Sequence, residues 1–160
     1  LDRVYRVGSA GFAFVDLAAV GRDVPLQEQI LILHYLMARS PAAIAGDWVA
    51  YREIPGAAFY FGAFVKRAID PLKKVFGRNV AGFVAAAGRL MGQPVAPGDA
   101  GFEFRVFPKV PLRFILYAGD AEFAPEANIL FDRSNGGMLS PEDIAWLAEM
   151  VVYRLISLSS

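Results

Sequence analysis

A single α+β domain, with a mostly antiparallel sheet packed against several helices, is the fold this 160-residue sequence predicts. Three observations point there. Two alternating apolar segments, GFEFRVF (101–107) and LRFILYA (112–118), flank PKVP and are followed by a third, NILF (128–131). A helical period governs 61–76 and 80–91. Helices and strands also occupy largely separate stretches, unlike the strict alternation of a parallel sheet.

Taken in order, RVYRV and GFAFVDL have strand composition and are separated by Gly8, Ser9 and Gly11, which predicts an N-terminal hairpin. In GRDVPLQEQILILHYLMARS, Pro25 suits a first helical turn and Glu28 suits the positive helix end. Residues 30–37 are apolar on nearly every face, so a central, largely buried helix is expected, ended by Pro41 and Gly46. DWVAYREI (47–54) alternates, with Trp48, Ala50 and Arg52 on one face and Val49 and Tyr51 on the other. It reads as a strand closed by Pro55-Gly56.

From Ala57 the period becomes helical. Phe61, Phe64, Val65, Ala68, Ile69, Leu72, Val75 and Phe76 form a stripe, with Lys66, Arg67, Asp70, Lys73 and Lys74 opposite. Asp70-Pro71 is expected to break or restart this helix, because a residue before proline resists the α region. Gly77 suits a C′ position and Asn79 a new N-cap, after which Val80, Phe83, Val84, Ala87, Leu90 and Met91 share a side. Ser140-Pro141-Glu142-Asp143 combines a hydroxyl cap, a first-turn proline and an acid at the third position. Ile144, Leu147, Val151, Arg154 and Leu155 continue from it at helical spacing.

Composition removes several chemistries. The chain is 56% apolar with thirteen phenylalanines, enough for a core in a domain that buries roughly 70% of its unfolded surface. Sixteen basic and sixteen acidic side chains cancel, which argues against nucleic-acid binding. There is no cysteine, so disulfides, zinc–thiolate sites and cysteine nucleophiles are excluded, and a cytoplasmic location is expected. No membrane span is expected: the longest charge-free stretch, Ile54 to Val65, falls short of the roughly 18 residues required. The chain opens at Leu1 without Met, as a processed or partial N-terminus would.

The acidic run AGDAEFAPEANILFD (118–132) raises the question of a metal or acid–base site. Read from Asp132, the sequence approaches a calcium loop, but Gly136 at position five offers no side-chain oxygen, and the last acid is Asp143 rather than Glu. A strand, an Asn-Gly-Gly turn and a capped helix account for it better, with Glu122 and Glu126 facing water, and no metal site is expected. His34, the lone histidine, is either a cofactor ligand or general base, or a hydrogen-bonded residue of an apolar helix. No G-x-S-x-G, P-loop or dinucleotide fingerprint occurs; GRNVAGFV offers Phe83 where a phosphate loop needs Lys.

Charge is unevenly distributed. Lys66, Arg67, Lys73, Lys74 and Arg78 face only Asp70 over 66–78, whereas 118–149 is strongly acidic. Such a split suits an anionic ligand, an acidic partner or a homo-oligomeric contact, set against an ordinary solvated helix face. Phe59, Tyr60 and Phe61 cannot all point inward from one helix, which leaves a ring for binding.

VPLQEQILILHYL, GDWVAYREIPGAAFYFGAF, PLRFILYAGDAEFAPEANILFD and LSPEDIAWL together resemble the bacterial and archaeal domain-of-unknown-function 3786 family, from about Val24 onward. The resemblance brings no catalytic residues. It implies a protein common in anaerobes, some of whose relatives carry an iron–sulfur segment that this chain lacks.

The leading expectation is a non-catalytic accessory domain that binds a small molecule or a protein partner. Trp48, Tyr51, Arg52, Phe59, Tyr60, Lys66, Arg67 and His34 are its candidate contacts, and no cofactor is evident. The rival is an enzyme using carboxylate acid–base chemistry through Glu53, Asp120 and Glu122, with Arg52 holding an anionic substrate. A third reading is a structural subunit of a larger redox-related assembly.

Overall fold

Alternation and turn chemistry generate an antiparallel sheet of five strands, ordered β3 (Trp48–Ala50), β7 (Glu126–Asp132), β6 (Val110–Tyr117), β5 (Ala100–Phe107) and β4 (Gln93–Pro94). The computed structural model describes residues 3–9, 11, 13–38 and 43–159. Pro41, expected to end the first helical region, lies outside them.

β5 (Ala100–Phe107) and β6 (Val110–Tyr117) pair as a hairpin, and β7 (Glu126–Asp132) continues the meander. The turn is tighter than PKVP suggests, since Val110 already pairs with Phe107. Pro111 is tolerated inside β6 because the register shifts between Arg105 and Phe107. Two short edge strands were less legible. β4 (Gln93–Pro94) was not expected at all, and β3 keeps only Trp48–Ala50 of the strand read over 47–54. Its alternation stops because Tyr51–Glu53 forms a tight helical turn, with Glu53 Oε2 accepting the Ala50 N–H at 2.7 Å.

Period two sends Phe102, Phe104, Leu112, Phe114, Leu116, Ile129 and Phe131 to one face, where all are buried. Helices cover that face. α2 (Phe61–Phe64) runs through a wider turn at Val65–Ile69 into α3 (Asp70–Phe76), followed by α4 (Val80–Arg89) and α5 (Pro141–Ser157). Ring contacts join the layers: Phe83 meets Phe102 edge-on at 5.5 Å, and Phe64 meets Phe131 at 5.9 Å. The architecture is therefore α+β.

Two helix expectations need correction. Asp70-Pro71 does not break its helix, because Asp70 holds helical angles (φ −63°, ψ −45°) and the wide turn before it absorbs the ring. Gly77 is likewise right-handed (φ −58°). Its missing Cβ instead admits Pro125, whose ring atoms would lie 2.5–2.6 Å from any added carbon. Asn79 does cap α4, accepting the Gly82 N–H at 2.9 Å. That helix is rotated slightly from its expected face, so Ala86 is buried while Val84 and Met91 are exposed.

Ahead of this body, β1 (Tyr5–Val7) and β2 (Phe14–Asp16) form the expected hairpin, separate from the main sheet. α1 (Leu26–Met37) follows, and it is not central. Only Leu31 and Ile32 are buried in it, while Leu26, Leu36 and Met37 are 59–75% exposed. Its apolar content exceeds what one contact face can cover. Among the described residues no helix is long and apolar enough to cross a membrane.

Candidate functional site

Two helix ends meet beside the N-terminal hairpin. Glu28 sits in the first turn of α1 and Arg154 in the last turn of α5, each where its charge complements its own helix dipole. Arg154 Nη2 donates to Glu28 Oε1 at 2.7 Å. The Tyr5 hydroxyl donates to Glu28 Oε2, also at 2.7 Å. Arg3 Nη1 lies 3.8 Å from the same oxygen and 3.6 Å from Asp16 Oδ2, distances of ion pairing rather than hydrogen bonding. Burial first, then the bond to Glu28, push the Tyr5 phenol above its ordinary range. The neighbouring Tyr5, followed by the carboxylates, raises the guanidinium of Arg3.

This cluster is a wall between two cavities. On one side a space of about 130 Å³ is lined chiefly by Leu31, Ile32, Phe107, Leu147, Met150 and Val151. On the other a space of about 190 Å³ carries Asp16, Arg22 and Asp23. Arg3, Glu28 and Arg154 line both. Such an arrangement seats a small apolar group against a polar head. Among the described residues, no serine or histidine lines either cavity.

The sequence offered one signal for it. Arg154 interrupts the apolar stripe Ile144, Leu147, Val151, Leu155, and Glu28 precedes an apolar helix. A charge on a buried stripe needs a partner.

The candidate residues named from sequence scatter. Tyr51 is 1% exposed, stacks on Phe64 with ring centroids 4.3 Å apart, and donates to the Pro141 carbonyl at 2.8 Å. It packs in the core, on the same inward side as Val49. Burial pushes its phenol up to about 12. Trp48 lies on the outer sheet face beneath Arg113, which stands 3.8 Å over its ring and also pairs with Glu103.

Arg52 stacks on Phe61 at 3.7 Å, and Phe59, 86% exposed, meets Tyr60 edge-on. Lys66 and Arg67 are exposed. Tyr60 and Arg67 border a shallow groove of about 30 Å³ beside Trp146. These residues supply an aromatic and cationic surface without a deep pocket. Lys73 reaches across to Glu126 at 3.8 Å, so part of the basic stripe is answered within the molecule.

His34 is not sunk in the interior, since half of its side chain is exposed. Its Nδ1 lies 2.9 Å from Oδ1 of the buried Asp143, whose Oδ2 accepts from the Ser140 hydroxyl at 2.7 Å. The carboxylate that caps α5 thus also tethers the far end of α1.

Glu53, Asp120 and Glu122 are all exposed and line none of these three cavities. Hydrogen bonds from the Phe123 and Glu122 N–H groups lower the Asp120 carboxyl, the opposite of a raised general acid. Asp132 is fully buried and spends its oxygens on the N–H groups of Ala45, Gly46 and Ser134. Burial would raise it, but these bonds and the Ser134 hydroxyl hold it below the ordinary carboxylate range. Among the described residues no three His, Asp or Glu side chains gather closely enough to hold a metal ion.

No curated protein and no solved structure matches the chain. A family model does, and it extends ahead of Val24 to include the hairpin and Arg3. The match to Domain of unknown function (DUF3786) covers residues 1–154, so the chain belongs to that family.

Proposed function

We propose that this is a non-catalytic accessory domain that binds a small molecule in the apolar cavity between α1, α5 and the tip of the β5–β6 hairpin. One observation carries it: the Tyr5–Glu28–Arg154 network borders a cavity whose remaining lining is almost entirely apolar. Convergent polar groups at the edge of an apolar cavity are the ordinary grammar of ligand recognition. The exposure of Glu53, Asp120 and Glu122 weighs against carboxylate catalysis at those positions. A cytoplasmic setting fits the cysteine-free, charge-balanced composition.

Methyl-resolved NMR with a library of single-ring fragments tests the site. Leu31, Leu147, Met150 and Val151 are expected to shift together, and Met150→Trp, which fills the cavity, should abolish the response. Shifts confined to the face around Phe59 and Arg67 would instead favour a second reading, a protein-partner surface. The 86% exposure of Phe59 beside the Arg52–Phe61 stack supports that alternative.

A further inference from the structure

We infer that the ligand of this cavity is a small monocarboxylate, with its acid group held by the guanidinium groups of Arg3 and Arg154. The inference rests on the binding reading above and adds the chemistry of the head and the size of the body.

Hydrogen-bond capacity decides the head. Both Glu28 oxygens are engaged, one by Arg154 and one by the Tyr5 hydroxyl. Asp16 Oδ1 accepts the Ala18 N–H at 2.9 Å, and its Oδ2 faces Arg3. Each of these carboxylates already faces a cation, and the apolar cavity sets two guanidinium groups, Arg3 and Arg154, against the single carboxylate of Glu28. A guanidinium offers five N–H groups in a fixed fork. Among the described residues, Arg154 spends Nη2 on Glu28, and Arg3 shares a hydrogen bond with the Tyr5 hydroxyl beside longer ion-pair contacts to Asp16 and Glu28, so each guanidinium keeps N–H groups to donate.

An incoming ammonium would find carboxylates already paired. An incoming carboxylate would find unspent donors on two cations, the geometry that planar carboxylates fit best. Arg22 and Asp23, neighbours at the polar cavity, cancel and do not reverse this balance.

Volume decides the body. A cavity of about 130 Å³ is close to the roughly 150 Å³ that accommodates a benzene molecule. One ring or a short branched chain fills it. Phe107, Met150 and the branched side chains of Leu31, Ile32, Leu147 and Val151 supply the apolar contact.

Three probes with one body and different heads provide the test: phenylacetate, phenylacetamide and 2-phenylethylamine. Each is titrated while the methyls of Leu147 and Met150 are followed. Phenylacetate is expected to bind about tenfold tighter than the neutral amide, and the amine more weakly than either. Arg3→Gln, at a half-exposed position that leaves the Glu28–Arg154 pair intact, should bring acid and amide to within about threefold by weakening the acid alone.

Equal affinity of acid and amide in the wild type, or preference for the amine, would overturn the carboxylate assignment while leaving the cavity as a binding site. Failure of all three probes to move these methyls would overturn the cavity reading itself.

Discussion

The two parts of this molecule are held together by different forces. From Trp48 onward, the sheet and α2–α5 bury a continuous set of aromatic and branched side chains, with Phe76, Phe83, Phe114, Phe131, Leu112 and Ile144 at 0% exposure. Before that, the hairpin and α1 contribute few buried apolar residues and leave Val4, Val20, Leu26, Leu36 and Met37 largely exposed. What fixes α1 is a pair of polar contacts, Glu28–Arg154 at one end and His34–Asp143 at the other, with a narrow apolar contact of Leu31 and Ile32 and Tyr35 stacked on Phe107 at 4.5 Å.

Apolar burial scales with area and is not screened by salt, whereas ion pairs are screened and depend on protonation. The main body therefore specifies the fold. The N-terminal elements form an attachment that, with less apolar area buried, is expected to open at a lower free energy than the main body.

The largest expected effect separates these two parts by mutation. Phe114→Ala should cost about 3–5 kcal/mol by opening a cavity between sheet and helices, whereas Leu26→Ala should change stability by less than about 0.5 kcal/mol. Urea denaturation of the two variants checks this.

The next effect belongs to Tyr51. Its phenol is raised from an ordinary value near 10 to about 12, chiefly by burial, then by Tyr60 and Glu142. Below pH 10 both folded and unfolded chains keep the proton, so its contribution is fully present. Between about pH 10 and 12 the unfolded chain releases the proton first, and stability falls by roughly 2–3 kcal/mol. In Tyr51→Phe this loss should disappear, at a cost of about 1 kcal/mol at neutral pH for the hydrogen bond to Pro141. Denaturation followed across that alkaline range gives the comparison.

Arg154→Met is smaller in energy but more selective. It leaves the Glu28 carboxylate, 12% exposed, with the Tyr5 hydroxyl as its one remaining hydrogen bond among the described residues. A loss of about 1–2 kcal/mol is expected. Limited proteolysis should then cut within residues 3–38 while the sheet remains intact. Cleavage only after global unfolding would remove the distinction between attachment and body.

The same division explains what could be read in advance. The capped start at Ser140-Pro141-Asp143, the N-cap Asn79 and the β5–β6 hairpin depend on residues a few positions apart, and local pattern captured them. Alternation puts Tyr51 on the face of Val49, and both are buried, but an aromatic beside a cationic stripe looks the same in sequence whether it packs inward or faces a ligand. The apolar sequence of α1 suggested burial on every side, but the frame has room for only one of its faces. His34 and Asp143 are 109 positions apart, and Glu28 and Arg154 are 126 apart. No periodicity links residues at such separations, so the site stayed hidden even though each charge was visible on its own helix.

Amide hydrogen exchange with and without phenylacetate tests the central claim most directly. If a ligand cavity lies under a separately opening N-terminal attachment, amides of α1 and the β1–β2 hairpin will exchange faster than those of β6 and slow on addition of the acid, with β6 unchanged. Exchange of all these amides at one common rate, unaffected by the acid, would contradict both the division and the site.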